Sequence, residues 1–178
     1  DIGAYHPTLL GLLVGYNFGD EDIHKSFAKM YGVDYHKSKE LTFKQLYGGV
    51  FEQFKDLEFF QRVQIYVDDL WQRFNEKGWI ECPVSKHVYR KDKLENMKPQ
   101  KLLNYVLQNL ETAMNVRILW DIFKSLRNRK TELVLYTYDS FLFDFKEGEE
   151  DLTDEIKQII KKHKLQITES YGNNYDFR

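Results

Sequence analysis

The sequence has one cysteine, little net charge and no long apolar run, and each of these absences excludes a class of protein. Cys82 is the only cysteine among 178 residues, which excludes an internal disulfide and is compatible with a reducing compartment. No run approaches the roughly 18 apolar residues of a membrane span, and the N-terminus does not read as a signal peptide. We therefore expect a cytoplasmic protein without a membrane partner.

The overall charge also gives no sign of a nucleic-acid partner, because the formal net charge is only −2. Basic residues nevertheless cluster over residues 86–101, and acidic residues over 147–154. A basic stretch is usually a solvated face, and composition alone supports no more than that. The 42% hydrophobic and 16% aromatic content suffices for a packed interior, so the length allows one domain or two small lobes.

Apolar periodicity divides the chain into helical segments and a few strands. Alternation with a period of two predicts a hairpin over residues 132–145, with Asp139 at or beside its turn. Short strands are expected at 79–81 and 165–168, and residues 83–98 read as an irregular basic connector. Spacing near 3.6 predicts helices over residues 5–16, 23–31, 35–47, 56–76, 100–127 and 151–163. The fold class is therefore α+β, a small antiparallel sheet packed on long helices.

One face of the predicted helix 35–47 alternates aromatic rings with a cation. Tyr35, Lys39, Phe43 and Tyr47 are four residues apart. Four residues turn a helix by about 400°, so these side chains share one slowly drifting face. A triphosphate needs a cation, and a sugar or base needs a flat surface on which to stack. The alternative is an aromatic stripe buried in the core, with Lys39 extending out of it.

Asp139 is a candidate metal ligand. A carboxylate at the tip of a hairpin is held rigidly, although most turn aspartates only cap the backbone. Phosphoryl transfer by two metal ions needs carboxylates from at least two strands. Asp1, immediately before a predicted helix, is the second candidate. Neither residue is specific evidence by itself.

Six short segments carry motif-like patterns in a fixed order. They are Asp1–His6 (DIGAYH), Asp22–His24 (DIH), Lys39–Gly48 (KELTFKQLYG), Asn104–Gln108 (NYVLQ), Tyr138–Ser140 (YDS) and Gly172–Tyr175 (GNNY). In order they resemble D-Y-S-Q-I-E, D-I-H, K-x-x-x-[FY]-x-x-x-Y-G, N-x-x-x-Q, H-D-E and G-x-N-W. These are motifs of the family A DNA polymerases, the bacterial polymerase I type and its phage relatives. The resemblance extends over essentially the whole chain, and the third segment is its most specific part.

The resemblance implies a nucleotide and metal site. Asp1 and Asp139 would hold two Mg²⁺ ions, and Lys39 would contact the triphosphate of a dNTP. Phe43 would stack on the incoming nucleotide, and Tyr47 would close the pocket on the base-pair side. Family members with Phe at the position of Phe43 reject dideoxynucleotides, whereas those with Tyr accept them.

The resemblance also implies contacts with primer–template DNA. Asn104 and Gln108, one turn apart on one face, would touch the duplex, and Tyr138 would lie beside them in the third motif's position. His24 would lie beside the nucleotide phosphates.

Several residues depart from the family pattern. Tyr35 stands where the family has Arg in the nucleotide site, and His6 stands where a Glu crowds the ribose 2′ position. Ser140 replaces the second acid of the H-D-E motif, which leaves Asp139 as its strong ligand. Residues 78–89 lack the usual arginine-rich G-R-R-R. The chain is thus a divergent relative.

The resemblance assigns residues 1–21 and 98–178 to a palm subdomain and 22–97 to fingers and a basic connector. In the family, the strand that leads into the position of Asp1 supplies the middle of the palm sheet, and the thumb and exonuclease-like domain precede it. We therefore expect a fragment, inactive alone, that is completed by an upstream polymerase segment on the same or another chain.

The function implied is template-directed DNA synthesis, in host cytoplasm if the chain is of phage origin. The alternative is a non-catalytic polymerase-like module that binds nucleic acid or a replication partner.

Overall fold

The computed structural model describes residues 1–19 and 21–172, which form six α-helices and six short β-strands. The helices are α1 (Tyr5–Val14), α2 (Ile23–Tyr31), α3 (Tyr35–Gly48), α4 (Glu58–Lys77), α5 (Pro99–Ser125) and α6 (Asp151–Lys161). The strands are β1 (Ile2–Gly3), β2 (Trp79–Glu81), β3 (Val88–Arg90), β4 (Glu132–Thr137), β5 (Ser140–Asp144) and β6 (Gln166–Ile167). None of the described helices is both long and apolar enough to cross a bilayer.

The described strands pair two by two, and every pair is antiparallel. β1 pairs with β6, β2 with β3, and β4 with β5. The predicted hairpin is confirmed, with Tyr138 and Asp139 at its turn between the paired residues Thr137 and Ser140. An irregularity between Leu133 and Leu135 interrupts the strict alternation that the sequence suggests. The α+β class predicted from the sequence is confirmed.

Local capping chemistry explains why the predicted bounds of α2 agree with the structure. The Asp22 side chain accepts a hydrogen bond from the Lys25 N–H at the start of the helix. Gly32 ends it with a φ of 66°, and its N–H bonds to the Ala28 and Lys29 carbonyls. A residue with a Cβ is strained in this left-handed conformation, so glycine stops the helix here.

The basic connector is more ordered than the sequence suggests. Residues 83–98 were expected to be irregular, but they contain β3, which pairs with β2 through Trp79 and Arg90. The Tyr89 hydroxyl donates to the Tyr105 carbonyl at 2.8 Å. Three residues are too few to show a period, so the partner strand decides this pairing.

The chain separates into two compact units. One consists of residues 1–5 and 114 onwards, and the other of residues 6–113. The second unit contains α1 without its first residue, Tyr5, all of α2, α3 and α4, and the first half of α5. The assignment of residues 22–97 to fingers stays a prediction.

The core of the second unit is aromatic. Phe59 is 1% exposed, and its ring contacts four others at centroid distances of 5.1–5.4 Å: Tyr16, Phe18, Phe27 and Phe60. A neighbouring apolar cluster joins α4, β2 and α5 and consists of Leu70, Phe74, Ile80, Leu102 and Val106. The aromatic rings pack α2 and α4 against Tyr16 and Phe18, which follow α1.

In the first unit, α6 supplies a strongly apolar face. Its buried residues are Leu152, Ile156, Ile159 and Ile160. Glu149, just before the helix, accepts the N–H groups of Lys130 and Thr131 at 2.9–3.2 Å. These bonds connect the start of α6 to the residues that lead into β4.

Phe59→Ala should destabilise the protein by about 3–5 kcal/mol, because the change leaves a cavity among four packed rings. Phe123→Ala, at a ring that is 56% exposed, is the matched control and should change stability by less than about 0.5 kcal/mol. Urea denaturation followed by circular dichroism measures both. Equal losses in the two variants would show that Phe59 does not lie in the core.

Candidate functional site

The aromatic face of α3 is open to solvent. Phe43 is 40% exposed and Tyr47 is 38% exposed, whereas Ser38, Thr42 and Leu46 on the opposite side are buried. The interpretation of this stripe as part of the core is therefore wrong for Phe43 and Tyr47. Large exposed rings that lie side by side mark a surface suited to ligand contact.

Ring contacts extend along this face. The Lys39 ammonium lies 4.6 Å from the centroid of the Tyr35 ring. Phe43 and Tyr47 are stacked with centroids 6.0 Å apart and planes 8° apart. The face therefore presents a cation beside one ring and then a flat aromatic surface, which suits an anionic group attached to a planar one.

His24 packs behind these rings. Its ring lies 6.0 Å from Tyr35 and 6.1 Å from Phe43, centroid to centroid. The Ser38 hydroxyl donates to the His24 carbonyl oxygen at 2.8 Å, which connects α2 to α3. Among the described residues, the buried Nδ1 of His24 has no hydrogen-bond partner.

The environment of His24 disfavours its charged form. Burial lowers the pKa of His24, and the positive charge of Lys39 lowers it further, while Asp22 opposes the shift. A neutral imidazole with an unsatisfied nitrogen can accept or donate one further hydrogen bond.

His6 lies in the same unit and connects α3 to α5. Its Nδ1 is 2.5 Å from the Tyr47 hydroxyl, and its Nε2 is 2.6 Å from the Glu111 carboxylate. Glu111 was not among the residues identified from the sequence. Its position offered one signal, because Asn104, Gln108 and Glu111 recur at intervals of four and three and so share one face of the helix.

The two residues predicted to contact DNA differ in their surroundings. Gln108 is exposed on α5, whereas Asn104 is partly buried and its Oδ1 has no hydrogen-bond partner among the described residues. They lie one turn apart on one face, as the spacing predicts. Their contact with DNA stays a prediction.

The acidic pair lies in the other unit. The N–H of Ile2 donates to the Asp139 carbonyl oxygen at 2.7 Å, which places Asp1 next to the hairpin turn. Asp1 in turn exchanges two 2.9 Å bonds with Thr168, one through its amino group and one through its carbonyl. Asp1 and Asp139 are both exposed. The structure therefore brings the backbone segments that carry the two predicted ligands together, while their joint binding of a metal stays a prediction.

A buried amide shapes the turn that carries Asp139. Asn115 is fully buried, and its Nδ2 donates to the Tyr138 carbonyl at 2.8 Å and to the Tyr136 hydroxyl at 2.7 Å. Its Oδ1 accepts from the Tyr5 hydroxyl at 2.7 Å. Tyr138 itself is 79% exposed with a φ of 51°, the left-handed region. Asn115 was also missed by the sequence reasoning.

The acidic pair fits a hard cation in the type of its donors. Mg²⁺ prefers oxygen ligands, retains several waters and is commonly bound through one or two carboxylates plus substrate phosphates. No group of three or more His, Cys, Asp or Glu side chains among residues 1–19 and 21–172 could enclose a metal. Binding of Mg²⁺ by Asp1 and Asp139 stays a prediction.

A cavity of about 240 Å³ opens beside Asp1. Phe141 and Phe143 of β5 and Ile156 and Ile160 of α6 are among its lining residues. None of these residues was predicted to belong to the site. The last motif-like segment, residues 172–175, lies outside the described residues except for Gly172.

Comparison with solved structures gives a clear match for this fold. The polymerase domain of Pol1 from M. smegmatis, in complex with DNA primer-template and dNTP, superimposes with a TM-score of 0.68. The chain has a polymerase-like fold. The two sequences are only 15% identical, and the match covers 92% of this chain but 35% of that one. At this identity the similarity establishes the fold alone.

Sequence comparison adds nothing to this result. No protein-family model matches the chain, and no curated protein matches it. Its function therefore has to be argued from the residues of the site.

Protonation of His24 should destabilise the fold. Burial lowers its pKa below the ordinary value of 6.5, so the unfolded chain binds more protons than the folded one between the lowered pKa and 6.5. The free energy of unfolding should therefore fall as the pH decreases through that window. His24→Gln should remove this part of the dependence.

Urea denaturation between about pH 7 and about pH 5.5 measures this effect. His163, whose pKa burial also lowers, contributes equally to both proteins. His36→Gln, at an exposed position, is the matched control. An unchanged pH dependence in His24→Gln would contradict the assignment.

Proposed function

We propose that the chain is the nucleotide-binding and catalytic portion of a family A type DNA polymerase. The reaction is template-directed transfer of a nucleotidyl group from a dNTP to a primer 3′-hydroxyl. The observation that carries the proposal is the exposed face of α3, where Lys39, Phe43 and Tyr47 stand at the spacing of the family's most specific motif. The polymerase-like fold supports it.

On α3, each group has a role that its contacts support. The Lys39 ammonium is held by the Tyr35 ring rather than by a carboxylate among the described ion pairs, so it can bind a triphosphate. The stacked rings of Phe43 and Tyr47 offer a surface for the sugar and base. His24, whose ring packs against Tyr35 and Phe43, would lie beside the phosphates.

Asp1 and Asp139 would hold Mg²⁺. When bound, the metal ions lower the pKa of the attacking hydroxyl and stabilise the charge of the leaving pyrophosphate. The chain carries Asp1 and Asp139 on adjacent backbone segments, which the hydrogen bond from the Ile2 N–H to the Asp139 carbonyl joins. Asn104, Gln108 and the exposed Tyr138 would contact primer–template DNA.

The chain spans about a third of the length of the solved polymerase domain that it matches. We propose that an upstream polymerase segment, on the same or another chain, completes the enzyme. The 178 residues alone should then bind nucleotides without extending a primer.

A second function has specific support. Tyr35, His6 and Ser140 stand where the family motifs have an Arg, a Glu and a second acid. These features favour a non-catalytic module that binds nucleic acid or a replication partner. Such a module has no need of Mg²⁺-dependent nucleotide binding, so the nucleotide measurement below separates the two functions.

Lys39→Met should weaken binding of a Mg²⁺–dNTP complex about 10- to 100-fold, because a charge-assisted contact with phosphate is worth about 1.5–3 kcal/mol. Lys44→Met is the control, since Lys44 lies on the same helix but pairs with Glu40. Fluorescence titration with a labelled dNTP measures both variants. Equal affinity in both, or no binding by the wild type, would contradict the nucleotide site.

Phe43→Tyr should largely abolish discrimination against dideoxynucleotides by the completed enzyme. With Phe, the incoming 3′-hydroxyl completes the hydrogen bonding near the phosphates, and its loss leaves a polar gap that costs about 1–3 kcal/mol. A tyrosine hydroxyl fills that gap. Single-turnover incorporation of each dNTP and ddNTP measures the ratio.

Phe43→Ala provides the contrast for this measurement. It should weaken all four nucleotides alike, because the stacking surface is lost while no hydroxyl is added. Equal ddNTP discrimination by the wild type and Phe43→Tyr would place the α3 face away from the nucleotide sugar.

A further inference from the structure

Three side chains from three helices form one hydrogen-bonded chain in the 6–113 unit. It runs from Glu111 on α5 to Nε2 of His6 on α1 (2.6 Å), and from Nδ1 of His6 to the Tyr47 hydroxyl on α3 (2.5 Å). The side chains of His6 and Glu111 are only 11% and 17% exposed. Water therefore competes little for these bonds, and the orientation of each dipole depends on its neighbour.

The carboxylate at one end determines the direction of every bond in the neutral chain. A carboxylate only accepts, so the Nε2 of His6 must carry the hydrogen. A neutral imidazole has a single N–H, so its Nδ1 is an acceptor. The Tyr47 O–H must then donate to Nδ1, and burial together with the charge of Glu111 raises the pKa of Tyr47, which keeps the phenol protonated.

This arrangement commits the only hydrogen of the Tyr47 hydroxyl to His6. Its oxygen is left with lone pairs, and the side chain is 38% exposed on the α3 face, stacked against Phe43. The face therefore offers a hydrogen-bond acceptor beside an aromatic surface. It favours a ligand that brings a hydroxyl donor and disfavours one that brings another acceptor.

We propose that Glu111 is a positioning residue that acts through His6 to make Tyr47 an acceptor for a sugar hydroxyl of the bound nucleotide. The ligand class rests on the proposed function, whereas the positioning of Tyr47 rests on the hydrogen-bonded chain alone. Neither Glu111 nor His6 needs to touch the nucleotide for this effect.

Glu111→Gln tests the positioning directly. The amide has nearly the same size but can accept or donate, so both neutral tautomers of His6 become possible. Two-bond ¹H–¹⁵N correlation spectra of the neutral His6 ring should show the Nε2–H tautomer in the wild type and a mixture in the variant. An Nδ1–H tautomer in the wild type would overturn the proposal, whatever the nucleotide measurements show.

Nucleotide binding tests the consequence. Affinities for an rNTP, a dNTP and a ddNTP of the same base separate the 2′- and 3′-hydroxyls from the rest of the ligand. Glu111→Gln and Tyr47→Phe should each weaken binding of the nucleotide whose sugar hydroxyl donates to Tyr47 about three- to tenfold relative to binding of the ddNTP. That nucleotide is the dNTP for a 3′-hydroxyl contact and the rNTP for a 2′-hydroxyl contact. Glu76→Gln, an exposed change of the same type on α4, should leave the ratio unchanged.

A double-mutant cycle separates positioning from a merely structural role. In the Tyr47→Phe background, Glu111→Gln should have no further effect on the ratio, because the hydroxyl on which it acts is gone. An additive effect would overturn the proposal. If none of the nucleotides binds, the proposed function fails, and the tautomer spectra alone decide the role of Glu111.

Discussion

The buried amide of Asn115 is the contact on which the acidic site depends. An amide without its hydrogen bonds is costly in a protein interior, and this one satisfies its carbonyl and both its amide hydrogens. Its partners are the Tyr138 carbonyl at the hairpin turn, a tyrosine of β4 and a tyrosine at the start of α1. Together with the bond from the Ile2 N–H to the Asp139 carbonyl, these bonds position the backbone of the turn beside Asp1, while the Asp139 side chain is exposed.

The polar residues of α5 extend this arrangement along the helix. Polar residues recur along α5 at intervals of four, three and four: Asn104, Gln108, Glu111 and Asn115. The last two are connected to other elements by side-chain hydrogen bonds of 2.6–2.8 Å. Polar groups inside a fold destabilise it unless they are paired, and these bonds provide that pairing for Glu111 and Asn115.

The α3 face carries an energetic cost of another kind, the exposure of apolar rings to water. Two large rings that could be buried are left exposed, while small polar residues, Ser38 and Thr42, occupy the inner side of the helix. Their hydroxyls bond to the His24 carbonyl and the Tyr31 hydroxyl. The helix therefore gives up apolar burial in order to present Phe43 and Tyr47 outward. A ligand that covers the rings recovers part of that burial free energy.

Local chemistry in the sequence determined the helices and the 132–145 hairpin, and the motif-like segments can be recognised from the sequence alone. Periodicity, the caps at Asp22 and Gly32 and the glycine at 78 act within a few residues, so they can be recognised without a partner. Only the tertiary structure decided which rings are exposed, that β3 pairs with β2, that Glu111 contacts His6, and that Asn115 contacts Tyr138. Those outcomes depend on contacts over long sequence separations, such as 105 residues between His6 and Glu111 and 110 between Tyr5 and Asn115. A single sequence carries no period that encodes such pairings, because they arise only when the helices pack.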